Sequence, residues 1–406
     1  MHHPDLKTAR RLADPMKCSE ATKIVYSGKS ERDRSSLFAE MRECASEYEV
    51  SPPSLNVYFG ELHGHSCLSD GKPTIDEYFL HLRDTAEVDF AALTDHDHGG
   101  LGGDELWGGE NKWELIKAKT KEYYEPHKFT TLLAYERDSF PFYNNMIVYY
   151  NNHDGELVRG ETDGMIRQSE LKALLEREDV FIVPHDTWNL SSGTDLIHLP
   201  SELLPNHIEL CSRGDAVEYM SSPVFAQSEA CEGGFWQDAL KRGKTIFCVG
   251  GSDDHNCKNA TVVNELGYPS MYPGMTGVWA KENTLPSIYD ALKNGRCYTF
   301  MRGDQNSAMK GYITLDFRIN GRYMGETIER EDDSITIFYE VKADVNVKRV
   351  TLVKNCRDVI FMSSPRRTLL DLNQETECDS FYIRAELSDG RYAWSSPIWV
   401  RSKENI

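Results

Sequence analysis

The chain has 406 residues, 40% of them hydrophobic and 27% charged, the make-up of a globular protein with more length than one core of ordinary size requires. One large domain plus a smaller module is the expected organisation. The net charge of -20 excludes a general binder of nucleic acid or of anionic membranes, but not an anionic substrate, because bound divalent cations invert the local field of an acidic protein.

Residues 1–50 are polar and charged, with one predicted helix near Arg32–Tyr48, and read as an N-terminal helical arm or extension. The first fifteen residues carry no apolar signal core, and no apolar stretch is long enough to span a bilayer. The ten cysteines are scattered, without a C-x-x-C pair. That argues against a zinc ribbon and for free thiols in a reducing interior, so the expected location is cytoplasmic.

From Val57 to Arg302, short apolar runs alternate with amphipathic segments. The runs are Val57–Leu62, Phe90–Leu93, Thr130–Ala134, Met146–Tyr150, Val180–Val183, His207–Leu210 and Thr245–Val249. Several are nearly continuous in hydrophobicity, as strands buried on both faces are. Helices are predicted between several of them, over Thr74–Ala86, Lys112–Tyr124, Ile166–Arg177 and Phe235–Lys241. The alternation implies parallel strands with crossover helices. Seven such strands predict an α/β domain over residues 51–305, a distorted (β/α) barrel. Past Arg302 the texture changes. Tyr312–Arg318, Ser334–Val341, Arg349–Lys354, Phe381–Leu387 and Trp394–Val400 alternate apolar and polar positions, with turn signals at Asn320-Gly321 and Asp389-Gly390. These predict a small antiparallel β-sandwich over residues 306–406.

Chemistry concentrates at the ends of the predicted barrel strands. His63 and His65 follow the first strand two residues apart, which on extended chain puts both on one face. Ser69-Asp70-Gly71 comes next. Then come Thr94-Asp95-His96-Asp97-His98, Glu136, His185, and Gly251-Ser252-Asp253-Asp254-His255, each after its own apolar run. Taken singly each has a structural explanation: a surface turn for His63 and His65, a core histidine for His185, a helix cap for Asp253. Their shared placement argues for function, because the C-terminal strand ends of a β/α barrel converge on one face. Imidazoles and carboxylates without a thiolate suit Zn, Mn or Fe and suit hydrolysis. The ligands outnumber the needs of one tetrahedral ion, so two or three divalent ions are expected.

In order and spacing, H-x-H, S-D-G, T-D-H, a lone Glu, P-H and G-S-D-x-H resemble the PHP (polymerase and histidinol phosphatase) family of metal-dependent phosphoesterases. The resemblance runs over Val57–His255. Ser388-Asp389-Gly390 and Trp394–Trp399 are similar to a subgroup with a C-terminal β-sandwich. The resemblance implies a distorted seven-stranded barrel and metal-dependent phosphoester hydrolysis. It implies that His63, His65, Glu136 and Asp253 hold a first ion, and that Glu136 bridges to a second, which His185 also binds. Asp70, His96 and His255 would hold a third. One position departs from the pattern: where the family supplies a further histidine to the second ion, this chain has Phe142-Tyr143-Asn144-Asn145-Met146. The second site is then completed by Asn144 or Asn145, or is weak or empty. His153, the nearest histidine downstream, lies past the strand.

Other residues have weaker claims. Glu61 and Asp95 would orient histidine rings from behind. His98 and Asp70 are candidates for proton transfer, and Asp97 for contact with the site or substrate; Asp254 is expected to face away. Among the arginines Arg137, Arg213, Arg296 and Arg302, Arg213 is the first choice for an anionic group, since its loop should open on the active face. His207, at a strand start, reads as structural. Trp107, Trp113 and Trp188 read as packing or as an aromatic wall. The expected function is a metal-dependent hydrolase using metal-activated water on a small phosphorylated substrate. The alternatives are a hydrolase or lyase acting on a saccharide or amide, and a non-catalytic binding module. No general nucleic-acid or membrane partner is expected, and a homo-oligomer is left open.

Overall fold

The computed structural model describes residues 54–97, 111–138, 145–158, 166–189, 193–212, 215–225, 230–256, 272–330, 334–362, 366–371 and 374–402. The predicted arm near Arg32–Tyr48 lies outside them. All seven predicted barrel strands form: β1 (Asn56–Glu61), β2 (Phe90–Leu93), β3 (Thr130–Asp138), β4 (Asn145–Tyr150), β5 (Val180–His185), β6 (His207–Ser212) and, after the two-residue β7 (Asp215–Ala216), β8 (Phe247–Gly250). The short β7 and two longer strands, β9 (Gly274–Ala280) and β10 (Cys297–Met301), are not among the predicted runs.

The helices form where capping chemistry supports them. α1 (Ile75–Leu80) starts on a capping box in which Thr74 accepts from Glu77 N and the Glu77 carboxylate reaches back to Thr74 N; it runs on as a wider turn over His81–Thr85. α2 (Lys112–Tyr123) is capped by Asn111, which accepts from Trp113 N. α3 (Gln168–Leu175) and α4 (Trp236–Lys241) match prediction, and α5 (Leu285–Lys293), with a proline in its first turn, joins β9 to β10.

β1, β2 and β3 pair in parallel, as do β6 and β8. The expectation of parallel strands throughout fails at β4, which runs antiparallel to both β3 and β5. The reason is the link: only six residues separate Asp138 from Asn145, too few for the dozen or so that a parallel crossover needs. β9 pairs antiparallel with β1 and β10. Among the described residues no ladder joins β5 to β6, so the described strands do not form one closed hydrogen-bonded ring.

Side chains alternate along β2–β5 into two separate buried clusters. Ala91, Leu133, Tyr135, Val148 and Ile182 join Phe79 of α1, Ile116 of α2 and Leu171 of α3. Phe90, Ala92, Leu132, Ala134, Ile147 and Val183 join Leu210 of β6 and Val249 of β8. Both faces of the sheet are therefore covered, which explains the nearly continuous hydrophobic runs. Parity places Glu136, Asn145 and His185 on the second, inner face.

The C-terminal strands are β11 (Thr314–Ile319), β12 (Arg322–Tyr323), β13 (Thr327–Glu329), β14 (Ser334–Lys342), β15 (Val347–Lys354), β16 (Arg357–Met362), β17 (Arg366–Asp371), β18 (Cys378–Leu387), β19 (Tyr392–Ser395) and β20 (Ile398–Arg401). A four-stranded sheet has the order β12-β11-β14-β17, while β19 pairs with both β18 and β10, joining this region to the large sheet. The single predicted run Trp394–Val400 is two strands, broken at Ser396-Pro397. Buried Glu218 reinforces the junction by accepting from Tyr382 Oη (2.5 Å), Arg384 Nη1 (2.6 Å) and Trp394 Nε1 (2.9 Å). Among the described residues, no helix is long and apolar enough to cross a membrane. The seven described cysteines are all free thiols.

Candidate metal centre

The loops after β1 and β8 are tied side by side. Asp253 N donates to His63 O (2.9 Å) and His65 N to Asp254 O (3.0 Å), while Thr94 N donates to Gly64 O (3.0 Å). These bonds fix His63 and His65 on one face and lay Asp253 against them. Asp253 is held at φ 50°, a conformation most residues avoid. Gly251 has to be glycine: a Cβ there would meet His63 Cβ at 2.4 Å and Glu209 Oε1 at 2.8 Å.

Four side chains converge. His63 Nε2 and His65 Nε2 lie 3.3 Å apart, and each is 3.2 Å from Glu136 Oε2. Asp253 Oδ1 lies 3.1 Å from His65 Nε2 and 3.4 Å from His63 Nε2. All four residues are buried, and their ligand atoms fall within 4.8 Å of one another. Two buried carboxylates and two imidazole nitrogens aimed at one point are the donor set of a divalent cation, so the residues fit the metal that the sequence motifs imply.

A second group lies beside the first: His63, His185 and Glu209. Glu209 bonds His63 Nδ1 at 3.0 Å and His185 Nδ1 at 2.5 Å. His185 Nε2 faces Asp253 Oδ2 and Asp186 Oδ2, both at 3.4 Å. Asn145, opposite His185 in the β4–β5 register, donates from Nδ2 to Glu136 Oε1 at 2.6 Å. A third group brings His65, Asp70 and His96 together, with His255 Nε2 3.1 Å from Asp70 Oδ2. The ring of His65 stacks between those of His96 and His255, at 4.9 and 4.2 Å.

The electrostatics follow from buried opposite charges. Burial alone would push His63 down, but the Glu209 and Asp253 carboxylates outweigh it and push it up to about 9. Burial likewise works against His65, and Asp253 and Glu136 overturn it, raising the ring well above its ordinary value. Burial raises Asp70, yet His255, His65 and His96 hold its carboxyl down at about 2. With no cation present, protons on the imidazoles balance the carboxylates; cations can take their place.

Every predicted ligand is in one of these groups: His63, His65, Asp70, His96, Glu136, His185, Asp253 and His255. His98, Arg213, Asn144 and Trp107 lie outside the described residues. Several supporting assignments change. Glu61 accepts from the backbone N of His63 (3.0 Å) and Ser252 (2.9 Å), and burial pushes its carboxyl up to about 7; it braces the loops rather than a ring. Asp95 accepts from Ser66 N and the hydroxyls of Ser66 and Ser69, shaping the loop that presents Asp70. Asp254 contributes its carbonyl. Arg137 is buried on the helix-covered face, by alternation with Glu136, and its Nη1 lies 3.3 Å from Asp97 Oδ2. Arg302 lies over Tyr312 and Arg296 pairs with Asp290. His153 and His207 bond the carbonyls of Thr131 and Leu292 as structural histidines do. Trp113 is core, donating to Gly155 O, and half-buried Trp188 packs edge-on to Phe225.

Glu209 was missed. Its signal was a lone carboxylate inside an otherwise apolar strand, where an ionised group persists only with partners.

No family model matches the sequence. An uncharacterized protein of Chlamydia pneumoniae is 21% identical over 373 residues, covering 85% of this chain and 57% of the relative. An uncharacterized protein of Chlamydia muridarum is 22% identical over 395 residues, covering 87% of this chain and 58% of the relative. The chain thus spans under three fifths of the length of these curated relatives. Among solved structures, it is similar to a two-domain protein from Bacteroides vulgatus containing a predicted PHP-like metal-dependent phosphoesterase. The identity is 14%, the TM-score 0.44, and the coverage 86% of this chain and 97% of that one.

Proposed function

We propose that this chain is a metal-dependent hydrolase of PHP type, acting as a phosphoesterase on a small phosphorylated substrate. The observation that carries the reading is the convergence of His63, His65, Glu136 and Asp253 on one buried point beside two further groups of the same residue types. His63, His65, Glu136 and Asp253 would hold the first ion. His185, Glu136 and Asn145 would serve the second, and Asp70, His96 and His255 the third.

Divalent cations supply Lewis acidity toward phosphoryl oxygens and lower the pKa of water. The chain's own residues do the rest. Glu136 Oε2 faces the Nε2 atoms of both His63 and His65, so the carboxylate and the two rings would share one cation. Half-buried Asp70, His96 and His255 form the more open edge of the centre, where substrate would enter. Arg213 follows β6 directly in sequence and would receive a phosphoryl oxygen, while His98 or Asp70 would handle the leaving group's proton.

The fold reading is part of the same proposal. Residues 51–305 would make up a distorted seven-stranded barrel without a continuous hydrogen-bonded ring, and residues 306–406 a β-sandwich; the expected extension over residues 1–50 lies outside the described residues. A single buried cluster with members from β2, β3, β4, β5, β6 and β8 supports the barrel, as does the parallel Gly64–Asp254 bridge beyond β1 and β8.

The test is turnover of a chromogenic phosphomonoester and phosphodiester by protein loaded with Mn or Zn. Hydrolysis that disappears in His63→Ala supports the reading. Metal-loaded protein that turns over neither ester but cleaves a saccharide or an amide would replace it.

A further inference from the structure

We propose that Glu209 is a positioning residue that aligns two candidate ligands, His63 and His185, and so couples the two cation sites they would serve. The inference rests on the metal-centre reading above and concerns a residue outside the sequence motifs.

Glu209 stands in the middle of β6, 5% exposed, with its carboxylate behind both rings. Its Oε1 is 3.0 Å from His63 Nδ1 and its Oε2 is 2.5 Å from His185 Nδ1. The other nitrogen of each ring faces Asp253: His63 Nε2 is 3.4 Å from Oδ1 and His185 Nε2 is 3.4 Å from Oδ2. Two imidazoles are thus held between two carboxylates, one behind and one in front. The rings meet edge to face, 4.5 Å apart at 85°, which lets one carboxylate reach both Nδ1 atoms.

A neutral imidazole has one N–H and one lone pair. Donation of Nδ1–H to Glu209 leaves the lone pair on Nε2, the nitrogen that faces Asp253 and, for His63, also Glu136 and His65. Glu209 therefore selects the same tautomer in both rings. The three side chains also satisfy the spacing of a cation site of their own. That use conflicts with the first group, because His63 would have to bind through both nitrogens as an imidazolate. Glu209 works from behind the rings instead.

The test is calorimetric titration of the chelator-stripped full chain with Zn, with ion stoichiometry from elemental analysis. Glu209→Gln keeps the shape but exchanges the shared anion for a carboxamide. It is expected to weaken both binding steps by roughly 10–100-fold each, whereas His185→Ala weakens one. Glu209→Asp should recover part of the loss at both steps. Thermal unfolding of each metal-free variant reads the fold separately from the titration. Wild-type affinity at both steps in Glu209→Gln, or a loss confined to one step, overturns the inference and leaves the metal centre standing. A wild-type chain that takes up no Zn overturns both. Failure to hydrolyse phosphoesters with both binding steps intact strikes the proposed reaction alone.

Discussion

Asn145 donates from its Nδ2 to Glu136 Oε1 at 2.6 Å, within the segment Phe142–Met146 where the resemblance of the sequence motifs implies a histidine. The contact exists because β4 is reversed. Its first residue, not its last, reaches the rim where β3 and β5 end, directly across from His185. Asn145 Oδ1 is buried and makes no hydrogen bond among the described residues, leaving a neutral oxygen beside the Glu136 carboxylate. Asn145→His should therefore tighten the weaker metal-binding step by about tenfold or more, worth about 1.4 kcal/mol. Titration of the variant with Zn checks it; an unchanged second step would remove Asn145 from that site.

Asp253→Asn is the sharper probe of the centre than an alanine. Asparagine tolerates the left-handed backbone at φ 50°, so the substitution removes the charge without adding strain. Asp253 touches His63, His65 and His185, and bound metal should fall by at least one ion per chain. Elemental analysis after gel filtration reads the result. Unchanged metal content would show that the buried cluster is not the binding site.

Metal uptake should release protons. Burial opposes protonation of His63, but the Glu209 and Asp253 carboxylates prevail and push its value up to about 9, so the cation-free ring is charged at pH 7. A cation must displace that proton. Affinity should strengthen as pH rises from 6 toward 9 and level off above. Calorimetry in buffers of different ionisation enthalpy at pH 7 should report about one proton or more released per chain. No release would mean that the ring is already neutral.

His207 makes an independent prediction about stability. Burial pushes it down to about 4, with its ring against Leu292 O. The folded state holds it neutral while the unfolded chain binds a proton below about 6.5. Its contribution is therefore complete above about 6.5 and is lost as pH falls toward about 4. Between pH 7 and 4.5 that is on the order of 2–3 kcal/mol. Urea unfolding of the wild type and His207→Gln at both pH values checks it: the pH-dependent loss should shrink in the variant.

Much of the candidate site was legible because its signals are local. The alternation at His63 and His65, and a ligand after each apolar run, need only the period-2 geometry of extended chain. The same period already implied that Arg137 turns away from Glu136, although its charge suggested a substrate contact. Glu61 and Asp95 stand beside ligands in sequence but brace backbone, because each buried carboxylate took the nearest N–H or hydroxyl donors.

The sequence by itself determined the apolar runs, the ligand types and their order along the chain, since burial and side-chain alternation are properties of a few consecutive residues. The six-residue link also limits β4 to an antiparallel return. Only the tertiary structure decided that Asn145 is the residue that meets Glu136 and that Glu209 reaches both His63 and His185. Those contacts join residues 9 to 146 positions apart. They depend on which strands lie side by side and in what register, which no local pattern encodes.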